Sequence, residues 1–276
     1  MAAGDGAAGT ELRVAVAGLG AIGFEIARRL DAGIPGLWLT AVSARDREGA
    51  ARRIAGFAQP VPVLPVEELP DVADVIVECA PKSAFAQILE PAIAAGRIVM
   101  PLSVGALLDR MDLVERARET GARIIVPTGA LLGLDAVRAA AEGTIASATI
   151  VTRKPPRGLA GAPYLDQHGI DVAAITEPTR IFDGSARDGA RGFPANVNVA
   201  AALSLAGIGP DRTRLEIWAD PTVTRNTHTI VVEADSARLT MTIENVPSEN
   251  PRTGRITPLS VLAALRGLVA PLKIGT

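Results

Sequence analysis

The chain has 276 residues, enough for one large domain or two modest ones, and its 48% hydrophobic content can bury a sizeable core. A formal net charge of −2, few aromatic residues and no basic run argue against nucleic-acid binding. The single cysteine excludes an internal disulfide, and no apolar run is long enough to cross a bilayer. Composition therefore favours a cytoplasmic protein with neither nucleic acid nor a membrane as its partner.

A glycine-rich turn follows the first predicted strand. Residues 1–10 are rich in alanine and glycine and predict a disordered tail, and the apolar run after Arg13 leads into Gly18-Leu-Gly20-Ala-Ile-Gly23 and a helical pattern. In a dinucleotide-binding loop the first glycine permits a tight turn, the second lets a pyrophosphate approach, and the third lets the helix pack on the strand. Because the helix N-terminus would offer free N–H groups, we expect five residues to contact the cofactor: Gly18, Gly20, Ala21, Ile22 and Gly23.

The second predicted strand, Leu37 to Ser43, bears on which dinucleotide is bound. An acidic residue at its end would accept hydrogen bonds from the adenosine ribose of NAD, but Ser43 and Arg45 stand there instead. A hydroxyl and an arginine suit a 2′-phosphate. The sequence therefore predicts NAD, NADP or both as cofactor, with Ser43 and Arg45 in contact with it.

Strand and helix patterns then alternate as far as Val126. The predicted helices cover residues 47–55, 84–95 and 109–120, and the predicted strands cover residues 61–64, 75–79, 97–100 and 123–126. Such alternation predicts a Rossmann-type parallel sheet with helices on both faces, over residues 11–128. Ligands of this fold lie beyond the carboxyl ends of the strands, so we expect the loop that begins at Ala80 to contact the cofactor.

The pattern changes after Pro127. Helices are predicted at residues 134–142, 198–206 and 258–268, and strands at residues 147–152, 214–220, 227–234 and 237–244. Period-two alternation in the last two strands predicts a second, α+β domain with a mainly antiparallel sheet, over residues 129–254. We expect this domain to carry catalysis and dimerisation, the substrate to lie in the cleft between the domains, and the C-terminal helix, residues 255–276, to return to the first domain.

Two histidines are the candidates for proton transfer, because the histidine pKa lies near neutrality. His168 stands in a polar segment, which predicts that it is an ordinary surface residue in a loop. His228 stands after a turn, where a new strand begins, and is a candidate catalytic base. The histidines and the single cysteine lie too far apart for a metal-ligand spacing, so we expect no metal.

Ordered motifs along nearly the whole chain resemble the L-aspartate dehydrogenase family. The glycine loop alone would fit many dehydrogenases, and Val77-Glu-Cys-Ala80 adds to it, but the motifs after residue 120 are more specific. These are Pro127-Thr-Gly-Ala130 with Gly133-Leu-Asp135, Lys154-Pro-Pro156, Phe193-Pro-Ala-Asn-Val-Asn-Val199, Ala219-Asp-Pro221 with Asn226-Thr-His228, and Ile243-Glu-Asn-Val-Pro247 with Asn250-Pro-Arg-Thr253.

The resemblance implies an NAD(P)-dependent oxidation of L-aspartate to iminoaspartate, which water converts to oxaloacetate and ammonia, or the reverse amination. It also implies a homodimer and, in many members, a supply of the imine to NAD biosynthesis. The family's catalytic histidine maps to His228. Its cofactor-contacting alanine and asparagine map to Ala130 and Asn198, with Asn196 as a rival. As a base, His228 would take the ammonium proton and then activate water for attack on the imine.

A substrate with two carboxylates requires cationic or strong hydrogen-bond donors. Lys154 is the first candidate, and the others are Ser103, Thr128, Arg191 and Asn226. The segment between Pro156 and Phe193 is longer than the family pattern and predicts an extra loop. Two other hypotheses stay open. One is a reductase of the dihydrodipicolinate type, although its histidine pair beside a lysine is missing here, and the other is a non-catalytic NAD(P)-sensing protein.

Overall fold

The computed structural model describes residues 11–194, 197–246 and 254–275, so the predicted tail lies outside the described residues. The chain forms two compact units. The described residues of the first unit fall within Met1–Ser103, Arg110–Pro127 and Val261–Lys273, and those of the second fall within Val104–Asp109, Thr128–Ser260 and Ile274–Thr276. In this described part of the chain, no helix has the length and apolar character needed to cross a membrane.

Strands and helices alternate along the first half of the chain and segregate more in the second. The strands are β1 (Leu12–Ala17), β2 (Leu37–Ser43), β3 (Val75–Glu78), β4 (Ile98–Pro101), β5 (Arg123–Ile124), β6 (Ile145–Lys154), β7 (Thr179–Ser185), β8 (Thr213–Ala219), β9 (Asn226–Ala234) and β10 (Arg238–Asn245). The helices are α1 (Ala21–Asp31), α2 (Arg47–Ile54), α3 (Leu69–Val72), α4 (Phe85–Ala94), α5 (Val104–Leu107), α6 (Asp112–Thr120), α7 (Leu134–Ala141), α8 (Pro163–His168), α9 (Ala186–Gly192), α10 (Asn198–Ala206) and α11 (Ile256–Val269).

The first unit is built on a five-stranded parallel sheet of order β2-β1-β3-β4-β5. Residues Val14–Ala17 and Val75–Glu78 are buried along their whole length, as expected for central strands covered on both faces. Helix α1 packs Ile26, Ala27 and Leu30 into the same core. The Rossmann-type sheet predicted from the sequence is confirmed.

The core of the first unit also contains side chains from the far end of the sequence. Val261, Leu262 and Leu265 of α11 belong to the same buried cluster as the strands β1 and β3. Val269 of α11 lies 3.1 Å from the position that a Cβ on Gly36 would occupy. This core therefore combines β1 and β3 with a helix that lies far from them in sequence.

The second unit contains a five-stranded sheet of order β10-β9-β6-β8-β7. The pairs β10–β9, β9–β6 and β8–β7 are antiparallel, whereas β6 and β8 run parallel. The mainly antiparallel sheet of the prediction is confirmed, with this one parallel pair added. Alternate residues of β6 and β9 are buried, so each strand has one core-facing side.

The segment 157–192 is not the extra loop that the sequence suggested. It contains α8, the edge strand β7 and the whole of α9. Its rings pack with Phe193: the Tyr164 centroid lies 5.3 Å from that of Phe182 and 5.1 Å from that of Phe193. His168 accordingly ends a short helix rather than lying in a loop. Strand β7 was not predicted because its buried residues are adjacent in sequence and do not alternate with exposed ones.

Residues 61–64 do not form the strand that the sequence predicted. Only one bridge forms there, between Val42 and Val63, flanked by hydrogen bonds from Val42 to Pro62 and from Leu64 to Val42. Pro62 has no N–H group, and prolines stand at positions 60 and 65 as well. A ladder cannot propagate through a segment so short of donors.

Candidate active site

The glycine loop between β1 and α1 has the shape that a dinucleotide requires. Gly18 has a φ of +102°, and a Cβ there would lie 2.7 Å from the carbonyl oxygen of Cys79. A Cβ on Gly23 would lie 1.9 Å from the carbonyl oxygen of Gly18, so α1 could not pack so closely with any larger residue. Around Gly20, in contrast, a Cβ would meet nothing within 4 Å, and no side chain caps the helix there. The open space and uncapped N–H groups fit a bound pyrophosphate.

The end of β2 lies beside this loop. The Gly18 amide donates a 2.7 Å hydrogen bond to the Ser43 carbonyl oxygen; the Ser43 side chain is buried and Arg45 is exposed. The nearest acid in sequence, Asp46, caps α2 by accepting a 2.9 Å hydrogen bond from the Gly49 amide. Its carboxylate is thus already used in holding the helix.

Arg53 places a positive charge at the glycine loop that no sequence pattern indicated. Arg53 of α2 donates a hydrogen bond to the carbonyl oxygen of Leu19, and its guanidinium stacks 4.1 Å from the centroid of the Phe24 ring. Its partners are 34 and 29 residues away in sequence, so only the three-dimensional fold reveals the contact. A positive charge beside this loop favours a phosphate-bearing ligand.

Glu78, the last residue of β3, is a buried carboxylate that ties two loops together. One oxygen accepts from the Ala80 amide and the Ser103 hydroxyl, both at 3.0 Å, and the other accepts from the amides of Leu102 and Ser103 at 3.1 and 2.9 Å. Burial raises the pKa of Glu78, while these hydrogen bonds act in the opposite direction. The loops held in this way follow β3 and β4, at the carboxyl edge of the sheet where ligands bind.

This arrangement changes the role predicted for Ser103. Its hydroxyl donates to Glu78 and also lies 3.3 Å from the Ala80 carbonyl oxygen, so it is engaged inside the first unit. Ser103 therefore shapes a loop. The prediction that its hydroxyl binds a substrate carboxylate is not favoured.

In the second unit, His228 lies on the buried face of β9. It stands directly opposite Thr152 of β6, and its Nδ1 atom is 3.0 Å from the Thr152 hydroxyl oxygen. Burial lowers the pKa of His228 to about 3, and the positive charge of Lys154 adds to this effect. The imidazole is therefore neutral at neutral pH.

Lys154 and Asn226 extend the same buried face by one step from Thr152 and His228. Lys154 is the last residue of β6 and 4% exposed, while Asn226 is the first residue of β9 and 8% exposed. We call Thr152, Lys154, Asn226 and His228 the histidine cluster. It replaces the apolar residues that occupy this face further along the strands, Ile150 and Ala148 on β6 and Ile230 and Val232 on β9. One sequence signal could have identified Thr152: it is a polar residue at a position where the alternating pattern of β6 predicts a buried apolar one.

Further polar groups gather at the same end of the second sheet. Asn245, which pairs with Asn226 in register, donates a 3.1 Å hydrogen bond to the carbonyl oxygen of Ala130. Asp220 follows β8 and lies 3.3 Å from the guanidinium of Arg153. Asn245 belongs to one of the family motifs, but no sequence pattern marks it as a site residue.

The remaining predicted residues are distributed over the second unit. Asn198 opens α10, and its Oδ1 atom accepts a 3.1 Å hydrogen bond from the Gly105 amide of α5. Thr128 is exposed, whereas Asn196 lies outside the described residues. Arg191 is exposed on α9 and 4.0 Å from Asp188. His168 is exposed, and its ring stacks on Tyr164 with centroids 3.8 Å apart.

The parallel sheet with its glycine loop, together with a neutral buried histidine beside a lysine, defines an NAD(P)-dependent dehydrogenase. Comparisons with known proteins agree with this class. Residues 18–127 match the sequence profile described as homoserine dehydrogenase, NAD binding domain, and residues 135–268 match aspartate dehydrogenase, C-terminal.

Full-length relatives specify the family. An L-aspartate dehydrogenase of Bradyrhizobium diazoefficiens is 57% identical over 99% of this chain and 97% of its own, and L-aspartate dehydrogenase 3 of Bordetella bronchiseptica is 58% identical over 96% and 98%. The crystal structure of an aspartate dehydrogenase from Thermotoga maritima has the same fold, with a TM-score of 0.74 at 23% identity over 96% of this chain and all of that one. The chain belongs to the L-aspartate dehydrogenase family.

Proposed function

We propose that this chain is an NAD(P)-dependent L-aspartate dehydrogenase. It oxidises L-aspartate to iminoaspartate, which water converts to oxaloacetate and ammonia, and it catalyses the reverse amination. The observation that carries the proposal is the buried His228, neutral and hydrogen-bonded to Thr152, beside the cation of Lys154. A neutral base next to a cation suits a substrate that brings an ammonium proton and two carboxylates.

The cofactor would be held by the glycine loop of the first unit. Gly18, Gly20 and Gly23, with the amides of Ala21 and Ile22, fit the pyrophosphate. Arg45 and Arg53 supply positive charge for the adenosine end, beside Ser43. We further propose that Ala80, Ala130 and Asn198 contact the cofactor. When bound, its nicotinamide supplies the hydride acceptor or donor.

His228 performs the proton chemistry in this proposal. Its neutral imidazole takes a proton from the substrate ammonium, which frees the nitrogen lone pair that assists loss of hydride from Cα. Once that proton has been released to solvent, the neutral ring takes a proton from the water that attacks the imine carbon and returns it to the departing nitrogen. The depressed pKa of His228 rises when a dianionic substrate offsets the charge of Lys154, because a nearby negative charge favours the imidazolium.

Lys154 is the proposed partner of a substrate carboxylate. It lies on the same buried face as the base, and its positive charge suits a substrate carboxylate. Asn226 and Thr128 are the proposed additional contacts. Arg191, exposed beside Asp188, is a weaker candidate.

We also propose a cytoplasmic homodimer, in which residues 11–128 with the returning helix bind the cofactor and residues 129–254 carry catalysis and dimerisation. The lone cysteine fits a reducing compartment. Strand β10 is an edge strand with exposed alternate residues, which is a surface available for pairing.

Absorbance at 340 nm tests the activity. The purified protein, mixed with oxaloacetate, ammonia and either NADH or NADPH, should oxidise the cofactor, and 2-oxoglutarate in place of oxaloacetate should give little turnover. Absence of oxidation above background with both cofactors would refute the proposal. The variant Arg45→Asp, assayed in parallel, should lose more rate with NADPH than with NADH, because it replaces a cation with an anion near the proposed 2′-phosphate position.

A further inference from the structure

The hydrogen bond between His228 and Thr152 raises the question of where the imidazole proton resides. A neutral imidazole carries one proton, on Nδ1 or on Nε2, and the partner of one nitrogen determines the state of the other. Here Nδ1 faces the Thr152 hydroxyl at 3.0 Å, with both side chains buried. A hydroxyl can donate or accept, so either tautomer is compatible with the distance alone.

The proposed function distinguishes the two tautomers. If Thr152 donated to Nδ1, Nε2 would carry the proton and could not act as a base. We propose that Thr152 is a positioning residue that accepts a hydrogen bond from Nδ1–H of His228 and so leaves the Nε2 lone pair available to the substrate. The role of Nε2 as the base rests on the proposed function, whereas the tautomer itself is a property of the resting protein.

The sheet explains why this contact is well defined. Thr152 and His228 are direct partners in the antiparallel register of β6 and β9, and cross-strand partners on one face lie close together. Threonine is β-branched, so its χ1 angle, and with it the hydroxyl position, is restricted. The contact thus orients the ring as well as selecting its tautomer.

A hydroxyl also suits the charge of the site better than a carboxylate would. An aspartate at position 152 would stand next to Lys154 and would compete with the substrate carboxylates for its charge. It would also repel a dianionic substrate. Threonine accepts the Nδ1 proton without adding negative charge.

Nitrogen-15 NMR of the two ring nitrogens tests the tautomer directly. The chain has two histidines, so the variant His168→Gln leaves only the signals of His228. In that background at pH 7 we expect protonated Nδ1 and unprotonated Nε2. Thr152→Val keeps the β-branched shape but cannot accept a hydrogen bond, so the ring should shift toward the Nε2–H form that isolated histidine favours. Thr152→Ser should retain the Nδ1–H form.

Kinetics supply the second measurement. Thr152→Val should lower kcat by about 10- to 100-fold, the usual cost of removing an orienting partner, while the NADH dissociation constant stays unchanged. Thr152→Ser should restore most of kcat. Thr149→Val makes the same substitution on the same strand but outside the buried face, and it should behave as wild type.

Three results would overturn the inference: a wild-type ring protonated on Nε2, a Thr152→Val spectrum identical to wild type, or a Thr152→Val kcat equal to wild type while His228→Ala is inactive. The proposed function fails separately. If His228→Ala keeps its activity while Thr152→Val still shifts the tautomer, Thr152 positions a ring that is not the base.

Discussion

The two units present their functional groups in opposite ways. In the first unit the proposed cofactor site is the glycine loop, a stretch of backbone whose three glycines, without side chains, lie within six consecutive residues. In the second unit the histidine cluster consists of buried polar side chains, and Thr152 and His228 are 76 residues apart. A backbone site of this kind is visible in a short stretch of sequence, whereas a side-chain site becomes visible only once strand register is known.

The largest expected effect is a loss of kcat from a substitution that changes only the proposed site of the second unit. His228→Ala should reduce kcat by about 10²- to 10⁴-fold, the range expected for loss of a general base. The NADH dissociation constant, measured by fluorescence titration, should stay at the wild-type value because the glycine loop is untouched. His168→Ala is the matched control and should keep full activity. Near-normal turnover of His228→Ala would remove the histidine from the mechanism.

Two alanine substitutions in the glycine loop distinguish an effect on protein stability from an effect on cofactor binding. Gly18→Ala should destabilise the protein by roughly 3 kcal/mol, because it combines an unfavourable positive φ with a backbone clash. Gly20→Ala, which meets nothing within 4 Å, should cost about 1 kcal/mol or less in stability yet still weaken NADH binding. Urea unfolding and fluorescence titration give the two quantities. Normal NADH affinity in Gly20→Ala would argue against a pyrophosphate at this position.

The depressed pKa of His228 predicts how stability depends on pH. The pKa is about 3 in the folded protein and near 6.5 when unfolded, so the unfolded chain takes up the proton first as pH falls. The contribution to stability is complete above pH 6.5 and is lost progressively toward pH 3. Between pH 7 and pH 5 the wild type should lose about 2 kcal/mol relative to His228→Gln, because each pH unit below 6.5 costs about 1.4 kcal/mol.

Urea unfolding of both proteins at the two pH values measures this difference. The other ionisable groups are common to both proteins, so their contributions largely cancel. Parallel pH profiles for wild type and His228→Gln would show that the ring is not held neutral by burial.

The smallest effect concerns Glu78, a side chain that supports the backbone site. In Glu78→Gln the new NH₂ group must face two of the four donors, so the loops after β3 and β4 lose part of their anchoring. We expect NADH to bind about tenfold more weakly, equivalent to about 1.4 kcal/mol. Glu48→Gln, on an exposed residue of α2, removes the same charge and should have no effect. Unchanged NADH affinity in Glu78→Gln would confine Glu78 to a structural role.

Particular residues show how far the sequence could predict this molecule. The glycine loop and both sheets follow from local patterns, and the same patterns with the family motifs predict His228 as a candidate base. Thr152 and Asn245 did not emerge, because each is one polar residue in a strand and acquires its partner only through pairing with a distant segment. Glu78 was similarly hidden inside an apolar run that predicts a buried strand. Strand β7 lacked alternation, and the predicted strand at 61–64 failed because prolines remove its donors.

Helix α11 has a consequence for how the protein is made. Val261, Leu262 and Leu265 lie in the same core as β1, which a ribosome synthesises near the beginning of the chain. During synthesis the nascent first unit exposes the apolar surface that α11 later covers, while the intervening second unit can already pair its strands. The core of the first unit therefore stays incomplete until α11 has been translated, and the incomplete core is a candidate target for chaperones.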